Sequence, residues 1–133
     1  MTRGTEPARV GDLAGSEYVL LTTFTADGRP KPTPVWAAPD GDALVVVSDA
    51  EAWKVRRARR TPGVTLAACT ARGTPTGAEV RGVVTVVGDE HLPRVRAALV
   101  RTYGWKFRLF GLVQRVRRER LVGLVVRDVP DPA

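Results

Sequence analysis

The sequence predicts a mainly β protein: six antiparallel strands closed into a small barrel, with two or three short helices set between them. Three observations carry this. Runs rich in β-formers recur at hairpin spacing and are separated by Asp-Gly turns and Gly/Pro loops. Only two stretches keep helical spacing over more than two turns, around Ser48–Thr61 and Glu90–Tyr103. Finally, Pro30, Pro32 and Pro34 fall at alternate positions of one strand and confine it to an edge or a bulge, because proline cannot donate a ladder bond. A small antiparallel sheet removes most of its edges by closing.

Residues 1–15 read as a loose arm with one helical turn near Val10–Ala14. Glu17–Thr25 is the first strand, and Asp27-Gly28 turns the chain because glycine takes positive φ at no steric cost. The proline-bearing strand runs from Pro30 to Ala38. Pro39–Asp42 is the next turn and Ala43–Val47 the third strand. Ser48 or Asp49 caps a short helix that Pro62 ends, and Glu51 suits its first turn. Ala52, Val55 and Ala58 share the face that packs on the sheet. Val64–Ala71 is the fourth strand, Arg72–Gly77 a loop, and Ala78–Val87 the fifth strand, with Gly82 marking a bulge or bend. Glu90–Tyr103 is the second helix. Trp105–Val113 reads as irregular helix, Arg115–Arg120 as a charged connector, and Leu121–Arg127 as the last strand. The 133 residues fit one domain, 1–133.

Net charge is +7, which points to an anionic partner. With one cysteine there is no internal disulfide, and no apolar run approaches a membrane span or signal core, so a cytoplasmic protein is expected. His91 is the only histidine, so metal sites and triads built on histidine pairs are not expected. Cys69, inside an apolar strand, reads as an inert core residue. Neither phosphate-binding glycine motif occurs, and the carboxylates form no acid/base pair. What remains is a binding surface. Five positive charges lie between Lys54 and Arg60, beside the free N–H groups of a helix start, which suits a phosphate or carboxylate. Taken alone, the same charges also describe a solvated basic face. Any redox chemistry on such a surface falls to a cofactor.

The order of motifs is more specific than any one of them. Thr22–Pro30 around Asp27-Gly28, then Thr33-Pro34-Val35-Trp36, then Lys54-Val55-Arg56-Arg57 with Arg60, Pro62 and Val64, then Gly73–Gly77, resembles the split β-barrel flavin and deazaflavin oxidoreductases, the pyridoxamine 5'-phosphate oxidase-like superfamily. The nearest likeness is to its small actinobacterial branch that uses coenzyme F420. It covers roughly Tyr18–Val87, with weaker agreement to Val126.

The resemblance implies a homodimer with cofactor sites at the subunit interface. It implies an F420-dependent reductase that passes a hydride from reduced deazaflavin to an unsaturated small molecule, with FMN as the alternative cofactor. Carried over, Lys54 holds the cofactor phosphate with Ser48 and Asp49, and Arg57 adds charge. Thr33, Pro34, Val35 and Trp36 lie along the ring. Arg72, Gly73, Thr76 and Gly77 flank the ring or ribityl chain. Trp53 departs from the pattern: relatives often have Ser or Gly before the lysine, and the indole either stacks on the cofactor or blocks its phosphate pocket. No catalytic residue is assigned. Trp36 and Trp53 also fit a core or dimer interface, and for Trp36 that reading stands level with the cofactor site. Thr74 and Thr76 fit plain turn bonding, and Trp105, Phe107 and Phe110 fit a substrate pocket or, better, burial under the barrel mouth. Two further readings remain: a non-catalytic cofactor-binding protein, and a nucleic-acid-binding module. The second is disfavoured because the aromatics do not interleave with the basic residues.

Overall fold

The computed structural model describes residues 9–109 and 120–130. Its strands are β1 (Tyr18–Phe24), β2 (Pro30–Val35), β3 (Ala38–Asp40), β4 (Ala43–Asp49), β5 (Gly63–Cys69), β6 (Val80–Val87) and β7 (Leu121–Asp128). They form one antiparallel sheet in the order β2-β1-β5-β6-β7-β4-β3. Two helices join them, α1 (Trp53–Arg60) and α2 (Leu92–Tyr103), with a 3-10 turn at Val10–Leu13 and a helical stretch at 105–109.

Among the described residues there are seven strands rather than the expected six. The proline strand does not run through to Ala38; it stops at Val35, and residues 38–40 pair with β4 instead. The expected turn at Pro39–Asp42 shrinks to Gly41-Asp42, where Gly41 sits at φ +63. β2 and β3 are the two ends of the sheet, yet only Trp36 and Ala37 separate them in the chain. The sheet must therefore curl until its ends nearly meet, and covalent chain closes it there in place of a ladder. The prolines fit this edge: β2 pairs with β1 alone, so ladder donors are needed on one side only, at the alternating Lys31, Thr33 and Val35.

Alternation along β1 turns Val19, Leu21 and Thr23 inward. With Leu44, Val46, Leu66, Val84, Leu124 and Val126 they fill the barrel, and Val10 and Leu13 of the 3-10 turn join them. An interior filled by side chains leaves no room there for a ring system, so a ligand has to bind outside it. Gly82 makes no bulge; β6 keeps unbroken register with β5 and β7 through it. A methyl at Gly82 would lie 2.9 Å from Val126 Cγ1 and 3.2 Å from the Arg127 carbonyl, so close packing explains this glycine.

α1 buries Val55 and Ala58 against the barrel, with Ala52 alongside, as the pattern predicts. Its cap differs. Ala52 is the N-cap and no side chain caps it; Asp49 instead accepts from the Glu51 N–H at 2.9 Å, which orders the turn before the helix. α2 starts at Leu92 rather than Glu90 and lies on the outer face of the sheet, where Val95, Ala98 and Leu99 pack with Ala38, Val45 and Phe107. Positive φ at Gly104 (+62) turns the chain into 105–109. The rest of the expected helix to Val113, including Phe110, and most of the Arg115–Arg120 connector lie outside the described residues.

Arg94 of α2 pairs with Asp40 of β3 at 2.8 Å. That hydrogen bond holds the Asp40 carboxyl below its ordinary value. A carboxylate depressed in the folded state contributes stability above its unfolded pKa and loses it as pH falls through the folded one. Arg94→Ala is therefore expected to lower the melting temperature slightly at pH 7, the pair being exposed at the arginine. The difference from the unsubstituted protein should shrink as acid protonates Asp40; a difference independent of pH would show that the ion pair is not its source.

Candidate functional site

β2, β4, α1 and α2 converge on a cavity of about 310 Å3. Pro34, Val35 and Trp36 form one side, and Val47, Ser48 and Asp49 a second. Lys54 enters from the first turn of α1, and Leu99 and Phe107 close the apolar end. The walls are apolar with a few polar groups at one end, the usual make-up of a small-molecule site. The cavity exists because β2 and β4 end close together where the sheet curls, while α1 leaves β4 within three residues.

Lys54 is the chemical focus. Burial is the main cause that lowers its pKa; Asp49 opposes this and Arg57 adds to it. The fold thus holds an ammonium where it is partly stripped of water. Among the described residues it makes no hydrogen bond or ion pair, and Asp49 is the favourable charge nearby. An anion in the cavity would restore what desolvation removes. Ser48 is buried and donates to the Asp49 carbonyl at 3.2 Å.

Six residues expected from sequence line this cavity: Pro34, Val35, Trp36, Ser48, Asp49 and Lys54. Thr33 does not; it pairs with Leu21 further back on β2. Arg57 does not either: its Nε donates to the buried Thr23 hydroxyl at 2.7 Å, tying α1 to β1, and it reaches the site only through its field on Lys54. Trp53 neither lines nor plugs the cavity. It is 68% exposed, with the Arg56 guanidinium 5.2 Å from its ring centroid. Arg72, Thr76 and Gly77 also lie off the lining, although their loop passes beside it. Gly73 sits at φ +90, and a Cβ there would stand 3.5 Å from Leu20 Cδ1 and 3.7 Å from Pro34 Cδ. Those are ordinary contact distances, so the positive φ rather than crowding is what favours glycine there.

Val47 and Leu99 were not anticipated. Their signal was hidden, since an apolar residue in a strand or on a helix face reads as core. Phe107 is both core and wall, 4% exposed yet lining the cavity, whereas Trp105 points out at 70%. Trp36 stacks on Tyr103, ring centroids 5.0 Å apart at 14°. Cys69 is buried, and burial pushes its thiol pKa up, against any nucleophilic role. His91 sits exposed at the N-cap of α2 without capping it. Among the described residues no helix is long and apolar enough to cross a membrane.

Comparison with known proteins agrees with this architecture. No curated protein matches the sequence. Among solved structures, the conserved hypothetical protein Rv2991 from Mycobacterium tuberculosis is 22% identical, with a TM-score of 0.65 over 100% of this chain and 91% of its own. An F420 reductase is 23% identical, TM-score 0.61, over 89% of this chain and 90% of its own. The heme storage protein HutZ from Vibrio cholerae is 14% identical, TM-score 0.66, over 88% and 84%. At these identities the likeness establishes the shared fold. The sequence profile described as pyridoxamine 5'-phosphate oxidase matches residues 6–128, nearly the whole chain. With its curled antiparallel sheet and a lysine-bearing cavity at the sheet's junction, the chain belongs to the pyridoxamine 5'-phosphate oxidase family of split-barrel proteins.

Proposed function

We propose that this protein is an F420-dependent reductase that delivers a hydride from reduced deazaflavin to an unsaturated small molecule. The observation that carries this is Lys54: a partly desolvated cation in a cavity that it lines with Ser48 and Asp49 and whose remaining lining is apolar. A phosphate would meet Lys54, and the ring system would lie along Val35 and Trp36 on the proline-broken strand. The exposed Arg56, Arg59 and Arg60 of α1 suit the carboxylates of an oligoglutamate tail. When bound, the deazaflavin supplies the hydride, and the acceptor takes its balancing proton from solvent. Such a transfer depends on proximity and orientation rather than on a protein acid, which fits a cavity without a carboxylate pair.

A homodimer belongs to the same proposal. α2 covers the outer face of β3, β4 and β7, while Tyr18, Leu20, Thr22 and Phe24 on the outer face of β1 are only partly buried beside the prolines of β2. A second copy seated there would cover them and border the cavity at Pro34.

The test is a titration with F420 and, separately, with FMN, followed by tryptophan quenching, with Trp36→Phe as the control. Saturable quenching by F420 at roughly micromolar Kd is expected, and less of it in Trp36→Phe. Preference for FMN would move the cofactor assignment to flavin. No quenching by either at tens of micromolar would end the proposal. Binding of F420 without turnover on a panel of enones, quinones and tetrapyrroles would make the protein a carrier.

A further inference from the structure

No ladder bond joins β2 to β3, the two sheet ends that Trp36 and Ala37 connect. Tyr103, the last residue of α2, stands at that gap. Its hydroxyl accepts from the Ala37 N–H at 3.1 Å and lies 2.9 Å from the Ala37 carbonyl and 2.8 Å from the Glu17 carbonyl, either of which can take its proton. One side chain therefore ties α2, the start of β1 and the crossing between the sheet ends. Its ring stacks on Trp36, whose indole walls the cavity with Val35. Tyr103 also borders a second, polar hollow of about 230 Å3 with Ser16, Glu17, Thr102 and Lys106. Its ring is thus not packed on every side, and the hydroxyl bonds hold it in place.

We infer that Tyr103 is a positioning residue for the cavity: its hydroxyl fixes the Trp36–Ala37 crossing, and its ring sets the plane in which the Trp36 indole meets a bound ring. The crossing is a separate matter from the ligand; only the effect on binding rests on the function proposed above. Removing the hydroxyl frees the crossing, and Trp36 then samples orientations that a planar ligand must reselect on binding.

The experiment compares the unsubstituted protein, Tyr103→Phe, Trp36→Phe and the double variant. Near-ultraviolet circular dichroism without ligand reports the Trp36–Tyr103 stack, with Trp36→Phe identifying the indole's share. Thermal melts report stability, and F420 titration reports affinity. Tyr103→Phe is expected to stay folded, lose most of the Trp36 dichroic band, and bind F420 about threefold to tenfold more weakly, the scale of re-immobilising one side chain on binding. In the Trp36→Phe background the same change should cost no further affinity. An intact Trp36 band overturns the inference. So does a lower melting temperature with unchanged affinity, since Tyr103 would then only brace the fold; so does an equal affinity loss in both backgrounds. If the unsubstituted protein binds neither F420 nor FMN, the function proposed above fails, and the dichroic band alone decides whether Tyr103 fixes the indole.

Discussion

Lys54→Ala is expected to weaken cofactor binding by about 1.5–3 kcal/mol, the scale of a charge-assisted hydrogen bond lost from a partly desolvated site. The same substitution should leave the ligand-free protein as stable as before, or more so. The reason lies in the sign of the shift. Burial lowers the Lys54 pKa from its ordinary 10.5, so the folded state holds that proton less tightly than the unfolded chain does. Stability from this group rises as pH climbs through the folded value toward 10.5, because the unfolded chain then binds more protons than the native one. An anion in the cavity reverses the preference by favouring the charged form. Binding should therefore weaken as pH rises through the lowered pKa, and Lys54→Arg should flatten that dependence, since a guanidinium stays charged. Isothermal titration across neutral to alkaline pH checks both. Unchanged affinity in Lys54→Ala would remove this lysine from the site.

Leu124→Ala should do the opposite. Leu124 is fully buried in β7, opposite Val46 on β4 and Val86 on β6, with its side chain in the barrel interior. Truncation leaves a cavity among large neighbours and should cost about 2–5 kcal/mol of folding stability. Urea unfolding measures it. Below the melting transition, cofactor affinity should stay close to that of the unsubstituted protein, because the ligand cavity lies outside the interior cluster. Together the two variants would separate the parts of the barrel: on this proposal Lys54 holds the ligand and little of the fold, and Leu124 the fold and none of the ligand. A Leu124→Ala protein that is folded but unable to bind would mean that the filled interior sets the cavity's shape.

Some of this was legible without coordinates. The edge position of β2 follows from Pro30, Pro32 and Pro34, since a missing donor is a local property of each residue. The buried face of α1 follows from the spacing of Ala52, Val55 and Ala58, and Lys54 follows from its place one position before that face turns in. Gly82 shows the limit of such inference. A strand glycine reads equally as a bulge or as a close approach, and only the neighbours, Val126 and the Arg127 carbonyl, distinguish the two. Arg57 shows it again. Its charge resembles that of Lys54 one turn earlier, yet a hydroxyl buried 34 residues away in sequence takes its Nε and leaves Lys54 to face the cavity.

By itself the sequence determined the kind of elements, their order, the open edge and the basic helix, because turn chemistry, side-chain period and proline's missing donor act within a few residues. Tertiary structure alone decided that the proline strand breaks after Val35 to supply both ends of one sheet. It also decided which of thirteen expected contacts face one cavity, and that a tyrosine hydroxyl on α2 holds the crossing. Those outcomes depend on how a curled sheet brings residues dozens of positions apart within hydrogen-bond reach, a closure set by the summed twist and packing of all seven strands rather than by any local stretch.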